Sequence, residues 1–173
     1  MDKFVIIEQI NVKGNVYLIE DDTKNKFIMK IVPYEKNEYE SKCLKRLKDI
    51  CDIKILCYID EFMMTIDNEE YKAIILEYDP NYIDLMEYIN KYNVKSDEFE
   101  KIFMQIEDIV KTIHSKNVMH GDINERNIMI NPMNLNVKII DFGKCRIIED
   151  NNFMQDDLQV EYLKEFLRNY FME

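Results

Sequence analysis

The stretch from His120 to Gly143, HGDINERNIMINPMNLNVKIIDFG, constrains the fold of this chain more than any other. Asp122, Asn127 and Asp141 stand there among β-branched and apolar residues, and polar groups in such surroundings need a chemical reason. The IMI after Asn127 and the VKII before Asp141 read as two short strands joined by the turn Asn131-Pro132-Met133-Asn134. A hairpin between the two polar motifs carries both sets of oxygens to one end of a sheet.

Charge and composition then exclude several classes of function. A net charge of −11 argues against a surface that grips nucleic-acid phosphates or anionic lipid unaided, so neither direct nucleic-acid binding nor a membrane partner is expected. A local lysine with Mg²⁺ can still hold a nucleotide. The cysteines at 43, 51, 57 and 145 lack CxxC spacing, and no histidine lies near a pair of them. Neither a zinc site nor a disulfide framework is expected, which points to a reducing, cytoplasmic setting. MDKFVIIEQINVKGN has no small-residue cleavage site, and no run of about 18 apolar residues occurs, so no secretory signal or membrane span is expected. Glycine is held to three positions, Gly14, Gly121 and Gly143, the last two inside the motifs.

Taken in order, Phe4 to Ile10 and Asn15 to Glu20 read as a hairpin around Asn11-Val12-Lys13-Gly14, and Lys26 to Val32 as a third strand carrying Lys30. A lysine so placed must either reach solvent or meet a counter-charge. Tyr34 to Ile50 reads as a helix, with Leu44, Leu47 and Ile50 at helical spacing. Ile55 to Ile66 and Tyr71 to Tyr78 form another hairpin around Asp67–Glu70, and Pro80 breaks the ladder beyond it. Leu85, Met86 and Ile89 begin a helical pattern. Ser96 to Lys116 is a longer helix, with Ser96 as N-cap and the stripe Phe99, Ile102, Phe103, Ile106, Ile109, Val110, Ile113 as core. A last helix runs from about Asp156, with Val160, Leu163, Phe166, Leu167 and Tyr170 on one face.

The order Gly14-x-Val16, Lys30, Glu40, HGDINERN, IIDFG resembles the protein-kinase-like superfamily over almost the whole chain. The resemblance implies an α+β, bilobal protein-kinase-like fold with a truncated C-terminal lobe: one domain over residues 1–173, with an N-lobe to about 78 and a C-lobe from about 79. It implies ATP and Mg²⁺ as cofactors. Asp122 would be the catalytic base, Asn127 and Asp141 the metal ligands, and Lys30 the contact to the α and β phosphates, held by Glu40, with Glu38 and Glu35 as alternatives. Aligned on Gly14 and Val16, the phosphate loop has Gln9 and Asn11 in place of its first two glycines. Ile28, in place of the usual small residue, and Met129 would enclose the adenine. Leu76 would be the gatekeeper, with Glu77 and Asp79 giving backbone contacts at the hinge.

Departures from the family pattern narrow the subgroup. Gly121 removes the arginine that senses a phosphorylated activation loop, and Asn124 stands where a lysine usually meets the γ-phosphate. Arg126 or Lys144 could replace that lysine. No A-P-E follows Gly143, and no serine, threonine or tyrosine precedes Tyr162 after it, so activation-loop phosphorylation is not expected. The HGD form, together with Asp157 as the later aspartate that holds the catalytic-loop backbone, resembles small atypical kinases such as the KEOPS-complex kinase subunit and the RIO kinases. A basic tail like that of the KEOPS subunit is absent, which argues against a tRNA role. The Asn/Ile/Lys-rich, glycine-poor composition suits an AT-rich genome such as that of a large DNA virus, whose kinase would work in the host cytoplasm.

The leading expectation is a serine/threonine protein kinase acting on a protein substrate. A kinase-shaped binding module that regulates a partner protein is the alternative, suggested by the eroded phosphate loop and Ile28. A small-molecule kinase comes last, because the chain has no room for the helical additions that build such a substrate pocket.

Overall fold

Runs of β-branched and aromatic residues make the first three strands: β1 Phe4–Gln9, β2 Val16–Asp21 and β3 Lys26–Pro33. The computed structural model describes residues 4–10, 15–34, 38–51, 53–92 and 94–171, without the side chains of residues 38 and 171. With β4 Tyr58–Ile66 and β5 Glu69–Glu77 these strands form an antiparallel sheet in the order β1-β2-β3-β5-β4. Asp67 and Asn68 close the β4–β5 hairpin with φ of 50° and 66°, the left-handed pair that matches strand twist in a two-residue turn.

The sheet has two differently used faces. Ile19, Met29, Ile31, Ala73 and Ile75 are buried on one side as a small separate cluster. Val32, Ile74 and Leu76 project to the other side and join the main core, with Ile28 packed against it. Lys30 lies between Ile28 and Val32 on that inner side, opposite Ile74, because side chains alternate along a strand.

Helix α1, Glu38–Arg46, is shorter than the expected Tyr34 to Ile50. Pro33 closes β3. At the other end the Leu47 N–H donates to both the Cys43 and Leu44 carbonyls, at 3.0 and 3.2 Å, and the chain tightens into a 3₁₀ turn over Lys48–Ile50. The next strand likewise starts three residues late, because the intervening segment loops back. Cys51 bridges to Ile55, and Cys51 and Cys57 come within 4.7 Å at their Cα atoms and form a disulfide. That pair corrects the expectation of no disulfide and removes the support that cysteine spacing lent to a reducing compartment. A separation of six residues carries no motif, so the loop geometry alone creates it. Cys43 and Cys145 are free and buried.

After β6, Ile83–Asp84, come helix α2, Leu85–Lys91, and helix α3, Ser96–Ser115. All seven apolar residues expected on α3 are buried, and burying each contributes roughly 1.5–3 kcal/mol. The N-cap is Lys95 rather than Ser96. The Glu98 carboxylate accepts the Lys95 N–H at 3.0 Å, so the acid of the first turn does the capping and Ser96 is already helical. Strand β7, Val118–Met119, pairs with β10, Arg146–Ile147. The expected hairpin is β8 Ile128–Ile130 and β9 Val137–Ile139, with β6 on its outer edge.

Helix α4, Met154–Phe171, packs Val160, Leu163 and Leu167 into the core. Phe166 and Tyr170, expected on the same face, are instead 40% and 43% exposed. They fall on an i, i+4 row with Met154, Leu158 and Tyr162, which turns away from the narrower 160/163/167 stripe.

Candidate active site

Strand β3 and helix α1 carry the first half of the site. Lys30 Nζ donates to Glu40 Oε1 at 2.8 Å and to Asp141 Oδ1 at 2.6 Å, so one ammonium joins the sheet, the helix and the loop after β9. Glu40 is 1% exposed, and a carboxylate so buried is tolerable only beside a cation. Burial pulls the Lys30 ammonium down, but Glu40 and Asp141 more than offset it and hold the pKa above the usual lysine value. Burial likewise pushes the Asp141 carboxyl up, while Lys30 and the Gly143 N–H outweigh it and hold the carboxyl below the usual range. Lys30 and Asp141 are therefore both charged at neutral pH.

Asp141 adopts φ 64° and ψ 74°, a left-handed conformation that costs an ordinary residue about 1–3 kcal/mol. The loop makes room for it at Gly143. A Cβ there would lie 3.0 Å from Lys30 Nζ and 3.1 Å from Asp141 Oδ1, so a side chain would press on the ion pair itself.

The catalytic loop supplies the second half. Asn127 Nδ2 donates to the Asp122 carbonyl at 2.8 Å and to Asp122 Oδ2 at 3.3 Å. That use of the amide nitrogen leaves the Asn127 amide oxygen as the group to meet a metal. Lys144 Nζ donates to Asp122 Oδ1 at 2.9 Å. His120 is fully buried, with Nε2 on the Ile140 carbonyl at 3.0 Å and Nδ1 accepting the Asp122 N–H at 3.2 Å. The ring thus ties the catalytic loop to the segment between β9 and Asp141.

The anchor beneath that loop is Asp156, one residue before the expected Asp157. Its Oδ2 accepts the His120 N–H and its Oδ1 the Gly121 N–H, each at 2.7 Å, and Oδ2 also meets His114 Nε2 at 2.9 Å. Asp156 is 0% exposed while Asp157 points outward. Two adjacent aspartates near a helix start differ by one step of about 100°, and only the fold decides which faces inward. Gln155 and Gln159 add donors to the Gly121 carbonyl, at 2.8 and 3.2 Å.

Of the residues assigned from sequence, Lys30, Glu40, Asp141, Asp122 and Asn127 converge in these two linked groups. Val16 pairs with Lys30 across β2–β3, and Ile28 with Leu76 across β3–β5. Leu76 lines a small cavity with Glu40 and Asp141. Gln9 lies on the edge strand opposite Tyr17, and Met129 lies on β8 opposite Asp84 and Lys138. Asn11, Gly14 and Glu35 fall outside the described residues, as does the Glu38 side chain.

Sequence reading missed Lys138. Its side chain is 1% exposed, meets Glu77 at 3.3 Å and Asp79 at 3.7 Å, and lies over the Tyr82 ring at 4.8 Å. The side chains of Glu77 and Asp79 thus fasten the connector after β5 to the β8–β9 hairpin. A lysine between the apolar residues of VKII was the available signal, since a buried ammonium requires acids nearby.

A pH effect follows from His120. Burial lowers its pKa in the fold, against the pull of the Ile140 carbonyl, so the native ring is neutral. The unfolded chain then binds the extra proton, and stability is full above about pH 6.5 and falls as pH drops through that value. Denaturant unfolding at pH 7.5 and pH 5.5 should show lower stability at the acid value, and His120→Gln should flatten the difference. An unchanged slope in that variant would assign the acid sensitivity elsewhere.

The model of the family described as "Protein kinase domain" matches residues 12–164. The chain belongs to the protein kinase domain family. Among protein kinases it is similar to serine/threonine-protein kinase 1 of African swine fever virus, 36% identical over 86 residues, which cover 49% of this chain and 29% of that protein. It is also similar to the probable serine/threonine-protein kinase glkA of Dictyostelium discoideum, 25% identical over 151 residues, or 86% of this chain and 31% of that one. The match thus spans under a third of these kinases. The solved kinase PK-1 of Cydia pomonella granulovirus shares the fold with a TM-score of 0.68 at 20% identity, covering 84% of this chain and 53% of that one.

The kinase residues present fit a Mg²⁺-nucleotide. Asp141 and Asn127 offer the hard oxygen donors that Mg²⁺ takes, and Asp141 is 47% exposed on its side chain. No cluster of three or more His, Cys, Asp or Glu that could hold a metal by itself occurs among the described residues.

Proposed function

We propose that this chain is an ATP-dependent serine/threonine protein kinase, a single kinase-like domain with its N-lobe to about residue 78 and its C-lobe beyond. The observation that carries the reading is the pair of linked groups, Glu40–Lys30–Asp141 and Lys144–Asp122–Asn127, in which every charged member has a partner of opposite sign or a hydrogen bond. A protein built only to dock a partner has no use for a lysine shared between two acids and a further carboxylate arranged in this way. The serine/threonine-kinase relatives support the acceptor class.

In this reading Lys30, held by Glu40, orients the α and β phosphates, and Asp141 with Asn127 holds Mg²⁺. Bound Mg²⁺ supplies charge neutralisation for the phosphates. Asp122 accepts the proton of the acceptor hydroxyl; His120 and Asp156 hold the backbone leading into Asp122, and Gln159 Oε1 accepts the Ile123 N–H just after it. Phosphoamino-acid analysis of protein acceptors labelled from γ-labelled ATP tests the acceptor class. Label on serine or threonine is expected, and label confined to tyrosine would overturn it.

A further inference from the structure

Phosphoryl transfer beside Asp122 brings a negatively charged group next to a carboxylate, and a cation must meet that charge. Lys30 is already shared between Glu40 and Asp141. Asn124, two residues past Asp122, carries no charge, and both ends of its amide are used. Its oxygen accepts the Arg126 N–H at 3.0 Å, and its nitrogen donates to the Asp122 carbonyl at 3.0 Å. Lys144 comes to Asp122 from the other loop, with Nζ 2.9 Å from Oδ1 and its side chain 66% exposed, free to share the ammonium with an incoming anion.

Gly121 explains why Lys144 can be there. It has φ +81°, and a Cβ on it would lie 2.6 Å from the Lys144 carbonyl oxygen, far inside contact distance. Only a residue without a side chain lets the segment after Asp141 rest on the catalytic loop. Gly121 and Asn124 are therefore linked. The first admits the backbone of Lys144, and the second leaves the charge that Lys144 supplies.

We propose that Lys144 is the cation that binds the transferred phosphate beside Asp122, delivered by the loop after Asp141 and seated by Gly121. This rests on the phosphotransferase reading. The bond between the γ-phosphorus and its bridging oxygen breaks, and its electron pair leaves with ADP. A new bond forms from the acceptor oxygen to phosphorus, and the acceptor proton goes to Asp122. Lys144 gains and loses no bond, and its ammonium moves from a carboxylate oxygen to be shared with a phosphate oxygen.

The test is calorimetric titration of wild type, Lys144→Met and Lys144→Arg with Mg²⁺-ATP and with Mg²⁺-ADP. A charge-assisted contact to the γ-phosphate predicts that Lys144→Met loses about tenfold in ATP affinity, with ADP affinity within about twofold. Lys144→Arg should keep most of the ATP preference. An ATP-to-ADP ratio unchanged in Lys144→Met would overturn the assignment, and so would faster phosphate transfer by that variant, which would make Lys144 a brake on Asp122. Wild type that binds neither nucleotide would overturn the phosphotransferase reading along with it, whereas wild-type binding with an unchanged ratio overturns the Lys144 assignment alone.

Discussion

Asp122→Asn is expected to lower the rate of phosphate transfer by about a thousandfold while leaving Mg²⁺-ATP affinity within about twofold, the scale at which a positioned general base contributes. The substitution keeps the size of the side chain and the backbone contacts around it, the N–H on His120 and the carbonyl on Asn127 and Asn124. It removes the carboxylate that receives the acceptor proton. It also removes the ion pair with Lys144, but that lysine is largely exposed, and exposed pairs contribute on the order of 1 kcal/mol or less to stability. The melting temperature should therefore stay within a few degrees of wild type. Rate loss without loss of fold or of nucleotide binding separates a chemical role from a structural one. A variant that retained wild-type turnover would show that Asp122 is not the base.

Asp156→Ala carries the largest expected effect on stability. One buried carboxylate accepts two backbone N–H groups from the catalytic loop and meets His114. Removing it strands these groups in the interior, which costs about 3–5 kcal/mol when a buried charged partner is deleted. For a domain of this size that lowers the melting temperature by on the order of 10 °C. The loop it held carries Asp122, so activity should fall even below the melting transition. Asp157→Ala, at an exposed neighbouring position, should stay within about 0.5 kcal/mol of wild type. Thermal unfolding of the two variants side by side checks the assignment, and equal effects would contradict it.

The difference between these adjacent aspartates shows what the sequence could and could not disclose. Lys30, Glu40, Asp122, Asn127 and Asp141 were legible because each belongs to a spacing that its chemistry demands, and direct contacts join them into two groups, Glu40–Lys30–Asp141 and Asp122–Asn127. The strands were legible as β-branched and aromatic runs, and α3 because its apolar period extends from Phe99 to Ile113. Helix facing near α4 was not, since Asp156 and Asp157 fit the same local pattern and only packing against α3 and the catalytic loop turns the first inward. Phe166 and Tyr170 misled for the same reason. Lys138 was hidden because one lysine in VKII leaves the hydrophobic pattern of the strand intact, and its partners lie about 60 residues earlier. The Cys51–Cys57 bond depended on a loop closure that no spacing rule encodes. Lys144 stood out in the sequence only as one of two candidates, and the contact to Asp122 separates it from Arg126, whose backbone alone is tied to the loop.

The central claim, that the two linked groups form a working phosphotransfer site, is tested most directly by incubating the chain with γ-labelled Mg²⁺-ATP and a generic acceptor protein, with Lys30→Ala beside it. Label transferred by wild type and abolished in Lys30→Ala is the predicted result. An acceptor left unlabelled by wild-type protein that demonstrably binds Mg²⁺-ATP would contradict it, and would make this chain a nucleotide-binding module of kinase shape.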